Sequence, residues 1–137
     1  MVVARNNSES FPYVLKAERE FPPEKQTTFR LRRLSTRQHL LLANLQGEDE
    51  AGTSGVKVGT AMVAGLQIGI AGWSNFTDEH GAQIEFKPNK GKHLVEGIPA
   101  IDPASLQQLD LLPTDAAQEL AAAILKANEF TPDDRKN

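Results

Sequence analysis

The chain has 137 residues, of which 39% are hydrophobic and none is cysteine, and it carries a formal net charge of -3. This length and apolar content support one modest core, and the missing cysteines exclude a disulfide framework, a thiolate nucleophile and cysteine-ligated zinc. The slightly negative balance supplies no general field for phosphates, so nucleic-acid binding is not expected.

Residues 1–10 contain Asn6, Asn7, Ser8 and Ser10 and no apolar run, and they read as a flexible or partner-ordered arm without a secretory signal. Over 11–20 the alternation of Tyr13, Leu15 and Ala17 with Val14, Lys16 and Glu18 predicts a strand, which Pro22 and Pro23 interrupt because proline fixes φ and removes a donor. Over 27–34, Phe29, Leu31 and Arg33 fall on one face and Thr28, Arg30 and Arg32 on the other. The two strands are therefore expected to pair antiparallel. Ser35, with Gln38 three residues later, matches a capping box that opens a helix over 36–46, with Leu40, Leu41, Ala43 and Leu45 on its apolar side. Gly47 ends that helix, and 47–55, with Glu48, Asp49 and Glu50 among small residues, reads as a mobile loop.

Val58, Met62, Leu66 and Ile70, with Val63 beside them, recur at helical spacing and predict a buried helix over 56–70, near whose end Gly69 and Gly72 mark either a C-terminus or a close approach of backbones. The apolar run 56–73 is interrupted by Lys57, Gln67 and several glycines and is too polar to span a membrane, so no membrane partner is expected. Trp73 and Phe76 follow, and Asp78, Glu79, His80 and Gly81 read as a turn into a short strand over 82–86, with Ile84 and Phe86 on one face.

Residues 87–101, broken by Pro88, Gly91, Gly97 and Pro99, are expected to be irregular. Asp102 before Pro103 reads as a helix cap opening a short helix through Leu106 and Leu109. Thr114 is expected to cap the last helix, along which Ala116, Leu120, Ala123, Ile124 and Ala127 form one stripe. Residues 131–137 read as a charged tail. The fold class expected is α+β: an N-terminal antiparallel strand pair, three to four helices and a short additional strand in a single domain over 11–130.

Signatures of chemistry are weak. His39, His80 and His93 lack the paired spacing of a metal motif, and Gly65 to Gly72 end a helical run instead of linking a strand to a helix as a dinucleotide fingerprint does. Gly91-Lys92 lacks the rest of a phosphate loop, and no Gly-x-Ser-x-Gly elbow occurs. Asp78, Glu79 and His80 are the one grouping a small metal-dependent enzyme would use, but adjacent residues of a turn seldom converge on one atom. No catalytic, cofactor-binding or metal-ligating residue is assigned, and no cofactor is expected. A protein-binding surface remains. Its candidates are Trp73 and Phe76, whose ordinary role is to anchor a core, and Arg30, Arg32 and Arg33, ordinarily a solvated face and otherwise a seat for an acidic partner.

Several of these pieces together resemble a known group. They are the glycine-rich apolar helix leading to Gly72-Trp73-Ser74-Asn75-Phe76-Thr77-Asp78 and Gly81, the Leu34-Ser35 step after the strand pair, Leu112-Pro113, Glu119-Leu120, Asn128 and Lys136-Asn137. The combination resembles the small morphogenesis proteins of tailed bacteriophages, described as tail assembly chaperones or as uncharacterised virion proteins. The likeness runs from Phe11 to the end, with 87–102 as an insertion that shorter relatives lack. It implies a non-catalytic virion assembly or structural protein that binds head, neck or tail subunits and forms homo-oligomers. Such a protein acts in the host cytoplasm during assembly and is retained in the virion if it is a structural component. The alternative it implies is a transient tail assembly chaperone absent from the mature particle.

Overall fold

The computed structural model describes residues 1–2, 10–46 and 58–127. The expectations for the loop 47–55 and the tail 131–137, most of the arm 1–10, and the matches at Asn128 and Lys136-Asn137 lie outside the described residues. In chain order the elements are β1 (Ser10–Val14), two short 3-10 turns (Lys16–Glu18 and Pro23–Lys25), β2 (Thr28–Arg32), α1 (Thr36–Gln46) and α2 (Val58–Gly69). There follow β3 (Ile70–Ser74), β4 (Lys92–Val95), β5 (Ile98–Ile101), α3 (Leu106–Leu109) and α4 (Thr114–Lys126).

The expected strand pair is present. β1 and β2 run antiparallel with Tyr13 opposite Phe29 and Phe11 opposite Leu31. Phe29 and Leu31 are buried and Arg30 between them is exposed, as a period of two requires. The first strand stops at Val14, short of the expected 20, because the chain turns through Lys16–Glu18. Ser35 and Gln38 close the capping box: the Ser35 amide donates to Gln38 Oε1 at 2.9 Å, and the Gln38 amide donates to Ser35 Oγ at 3.1 Å.

Trp73 does not sit in a turn after a helix. α2 passes directly into β3, which pairs with β2 on the side away from β1 and sets Trp73 opposite Phe29. The additional strand is therefore 70–74. The stretch 82–86 makes only an isolated bridge, between Thr77 and Gln83. Gly69 is the last residue of α2, as expected, and it also lies where α2 packs on α4: a Cβ there would stand 2.6 Å from Ile124 Cδ1, so only glycine allows the approach.

Within the stretch expected to be irregular, 87–91 carries no regular element, but 92–101 is the β4–β5 hairpin, whose turn places Glu96 at φ 51° and Gly97 at φ 79°, the two positive values of a type I′ turn. Asp102 is likewise not a helix cap. Its φ is 49° and its Oδ1 accepts the Gly91 amide at 2.7 Å, while Ser105 caps α3 by accepting from the Gln108 amide at 3.2 Å. Thr114 is the first residue of α4, which follows Pro113 without a side-chain cap, and Ala116, Leu120, Ala121 and Ile124 form its buried stripe.

One core joins these parts into a single α+β domain: Phe29 and Leu31 of β2, Leu42 of α1, Ile68 of α2, Val95 and Ile98 of the hairpin, and Leu120 and Ile124 of α4 all belong to it. Among the described residues no helix is long and apolar enough to cross a membrane.

Candidate protein-binding surface

The three arginines do not form one basic face. Arg30 is exposed and its guanidinium donates to Ser10 Oγ, at 3.1 Å from Nε and 3.0 Å from Nη2. Arg32 is half-buried and ties β2 to the hairpin, with Nη1 donating to the Ile101 carbonyl at 3.0 Å across 69 residues of sequence. Burial pulls its pKa below the ordinary value, and the nearby Asp102 carboxylate opposes that. Its Nε is buried without a partner. Arg33 lies exposed between β2 and α1.

Trp73 and Phe76 belong to an aromatic cluster built on β2 and β3. The Trp73 ring stands 5.1 Å from Phe76, 4.8 Å from Phe86 and 6.2 Å from Phe29, each contact close to edge-on. Trp73 Nε1 donates to the Ile84 carbonyl at 2.8 Å, and the Ile84 amide donates to the Phe76 carbonyl at 2.7 Å. The pair thus pins the segment 76–86 to the sheet and serves as an anchor. Within that segment the Asp78 carboxylate accepts the amides of His80 and Ala82 at 2.8 and 3.0 Å and shapes the turn. Glu79 and His80 point into solvent, and among the described residues no group of three or more His, Asp or Glu side chains is placed to hold a metal.

A surface that sequence reasoning missed lies on the hairpin. Leu94 faces Pro99 and Lys92 faces Ile101, so these four side chains share one face, while Val95, Ile98 and Ala100 on the other are buried in the core. On the outward face Leu94 is 72% and Ile101 59% exposed. Single exposed apolar residues are ordinary, but these two are diagonal neighbours across a strand pair and make one patch. The start of α1 stands beside it. Ser35, Arg37 and Gln38 complete an open groove of about 450 Å³ with Lys92, His93, Leu94, Pro99, Ala100 and Ile101. Gln38 Nε2 donates to the Pro99 carbonyl at 2.8 Å, which fixes the groove's width. The charged side chains lining it are Arg37 and Lys92, both cationic.

A second groove, about 420 Å³, separates β1 from α4 and is lined by Phe11, Tyr13, Lys16, Arg19, Glu119 and Lys126, among others. There Tyr13 and the Lys16 amide both donate to Glu119 Oε2, at 2.7 and 2.9 Å, and the Arg19 guanidinium lies 5.4 Å over the Tyr13 ring. This cluster satisfies itself and joins two elements.

The hairpin's signal in the sequence is Glu96-Gly97 between Leu94-Val95 and a second apolar run. Pro99 and Gly91 concealed it. Comparison with known proteins finds no matching family model, no matching curated protein and no matching solved structure.

Proposed function

We propose that this chain is a non-catalytic protein-binding component of tailed-phage assembly, engaging a head, neck or tail subunit through the outward face of the β4–β5 hairpin. The phage setting comes from the resemblance carried by residues 66–81, Leu34-Ser35, Leu112-Pro113 and Glu119-Leu120. The binding role rests on one observation: Leu94 and Ile101 are exposed diagonal neighbours in a groove whose charged side chains, Arg37 and Lys92, are cationic. Removing a large apolar side chain fully from water is worth about 1.5–3 kcal/mol, so covering this patch is a driving force for association. Arg37 and Lys92 at its margin favour a partner of opposite charge and speed the encounter.

Co-expression with tail tube and tape-measure proteins tests this reading. One of them is expected to co-elute with the chain and to gain solubility; no co-elution with any head, neck or tail subunit would contradict it. Mass spectrometry of purified particles then separates a structural component, present in the virion, from a transient tail assembly chaperone, absent from it.

A further inference from the structure

We propose that the outer edge of β4 receives an extended, acidic segment of the partner, which adds to the hairpin as a third strand; this rests on the protein-binding reading above. The hydrogen-bond alternation of the hairpin identifies the open edge. A two-residue turn closes on a bonded pair, here Val95 with Ile98, so His93 with Ala100 is bonded and Leu94–Pro99 and Lys92–Ile101 are not. Three observations agree. Pro99 has no N–H to offer β4. The carbonyls of Pro99 and Ile101 point away from β4, to Gln38 Nε2 and Arg32 Nη1. The Asp102 amide donates to the Gly91 carbonyl at 2.8 Å, continuing the same alternation one pair further.

The two edges therefore differ. The outer edge of β5 is closed by Gln38 and Arg32 of the chain's own body. The outer edge of β4 presents the N–H and C=O groups of Lys92 and Leu94, in a strand whose Lys92, His93 and Leu94 side chains are all exposed. Unpaired edge groups of this kind template an incoming strand. Only two residues offer such groups, so selectivity must come from side chains and charge.

Charge selects the occupant. Lys92 stands on the strand and Lys90 two residues before it, its carbonyl 2.7 Å from His93 Nε2, and Arg37 lines the groove on the β5 side of the hairpin. The carboxylate of Asp102 is held by the Gly91 amide, and Glu96 lies at the turn. An antiparallel pairing of β4 with a second copy would bring Lys90 and Lys92 of one copy towards those of the other, an arrangement that edge lysines oppose. An acidic segment in which a Glu or Asp and an apolar residue stand two positions apart fits instead: both side chains then project on the face shared by Lys92 and Leu94, the carboxylate beside Lys92 and the apolar side chain beside Leu94.

The test uses the full-length chain and a fluorescein-labelled heptapeptide with threonine at its odd positions and glutamate, valine and glutamate at its even ones, read by anisotropy. Two further peptides carry N-methyl groups on one or the other set of alternate amides. The expected result is binding that one N-methylated peptide loses and the other retains, and that Lys92→Glu weakens about tenfold or more without lowering the melting temperature. Equal binding by both N-methylated peptides, or no effect of Lys92→Glu, would overturn the strand addition. If the heptapeptide does not bind while a tail subunit still co-elutes with the chain, the protein-binding reading stands and the strand addition is wrong. A dimer in sedimentation that Leu94→Asp dissociates would make a second copy the occupant and overturn the proposal equally.

Discussion

The Tyr13 hydroxyl donates to Glu119 Oε2 at 2.7 Å, joining the edge strand β1 to α4 across 106 residues of sequence. Burial and the adjoining Glu119 carboxylate raise the Tyr13 pKa above its ordinary 10.0. For Glu119 burial acts upward, but the bonds from Tyr13 and the Lys16 amide, with the charges of Lys16 and Arg19, outweigh it and hold the carboxyl below its ordinary 4.5. Tyr13→Phe removes one bond and leaves the other, so it is expected to destabilise the fold by about 0.5–1.5 kcal/mol in urea unfolding. The pH dependence follows from the two directions. The ionised Glu119 stabilises the fold above the ordinary carboxylate pKa, and that share disappears as pH falls through its lowered folded value. The Tyr13 share is complete below its ordinary pKa and is lost as pH rises through the raised one. Tyr13→Phe should flatten both flanks of the stability profile, and an unchanged profile would show that the pair contributes nothing.

Leu120 is fully buried between α4 and the rest of the core. Replacing it by alanine leaves a cavity and is expected to cost about 2–5 kcal/mol in chemical denaturation. A change near zero would mean that α4 does not pack as described.

Gly69→Ala would press a methyl group against Ile124, whose Cδ1, Cγ2 and Cγ1 lie 2.6–2.8 Å from the new atom. The expected loss is about 1–3 kcal/mol from overpacking. Shortening Ile124 to alanine in the same chain removes all three atoms, so the double variant should lose less than the sum of the single variants. Strict additivity would place the cost elsewhere.

Trp73 is the chain's one tryptophan, and its fluorescence reports the aromatic cluster directly. Trp73→Ala should cost about 3 kcal/mol, by removing ring packing and orphaning the Ile84 carbonyl. A variant that folds at full stability yet no longer binds a tail subunit would instead make Trp73 a contact residue.

What could be read from the sequence was what local spacing controls. The Ser35–Gln38 box, the Phe29–Leu31 alternation and the α4 stripe depend on residues a few positions apart, and all three formed where expected. β3 was hidden because Ile70 follows α2 with no turn residue between helix and strand, so its first residue extended the helical spacing. The hairpin was hidden because Pro99 occupies a strand position that needs no donor, which only the pairing reveals. Asp102 resembled a helix cap until the neighbouring Gly91 drew its carboxylate away. Arg32 resembled a surface charge because its carbonyl partner, Ile101, lies far along the chain. The candidate surface on Leu94 and Ile101 exists only once the hairpin folds, so no window of sequence displayed it.

Binding of a phage subunit through the outward face of β4–β5, as proposed, should not survive the double substitution Leu94→Asp, Ile101→Asp. Both side chains are exposed, so the melting temperature should stay within a few degrees of the unsubstituted protein. Co-elution with the tail tube or tape-measure protein should be lost, because the apolar patch is replaced by two charges. Undiminished co-elution by the folded double variant would contradict the claim and move the binding surface off the hairpin.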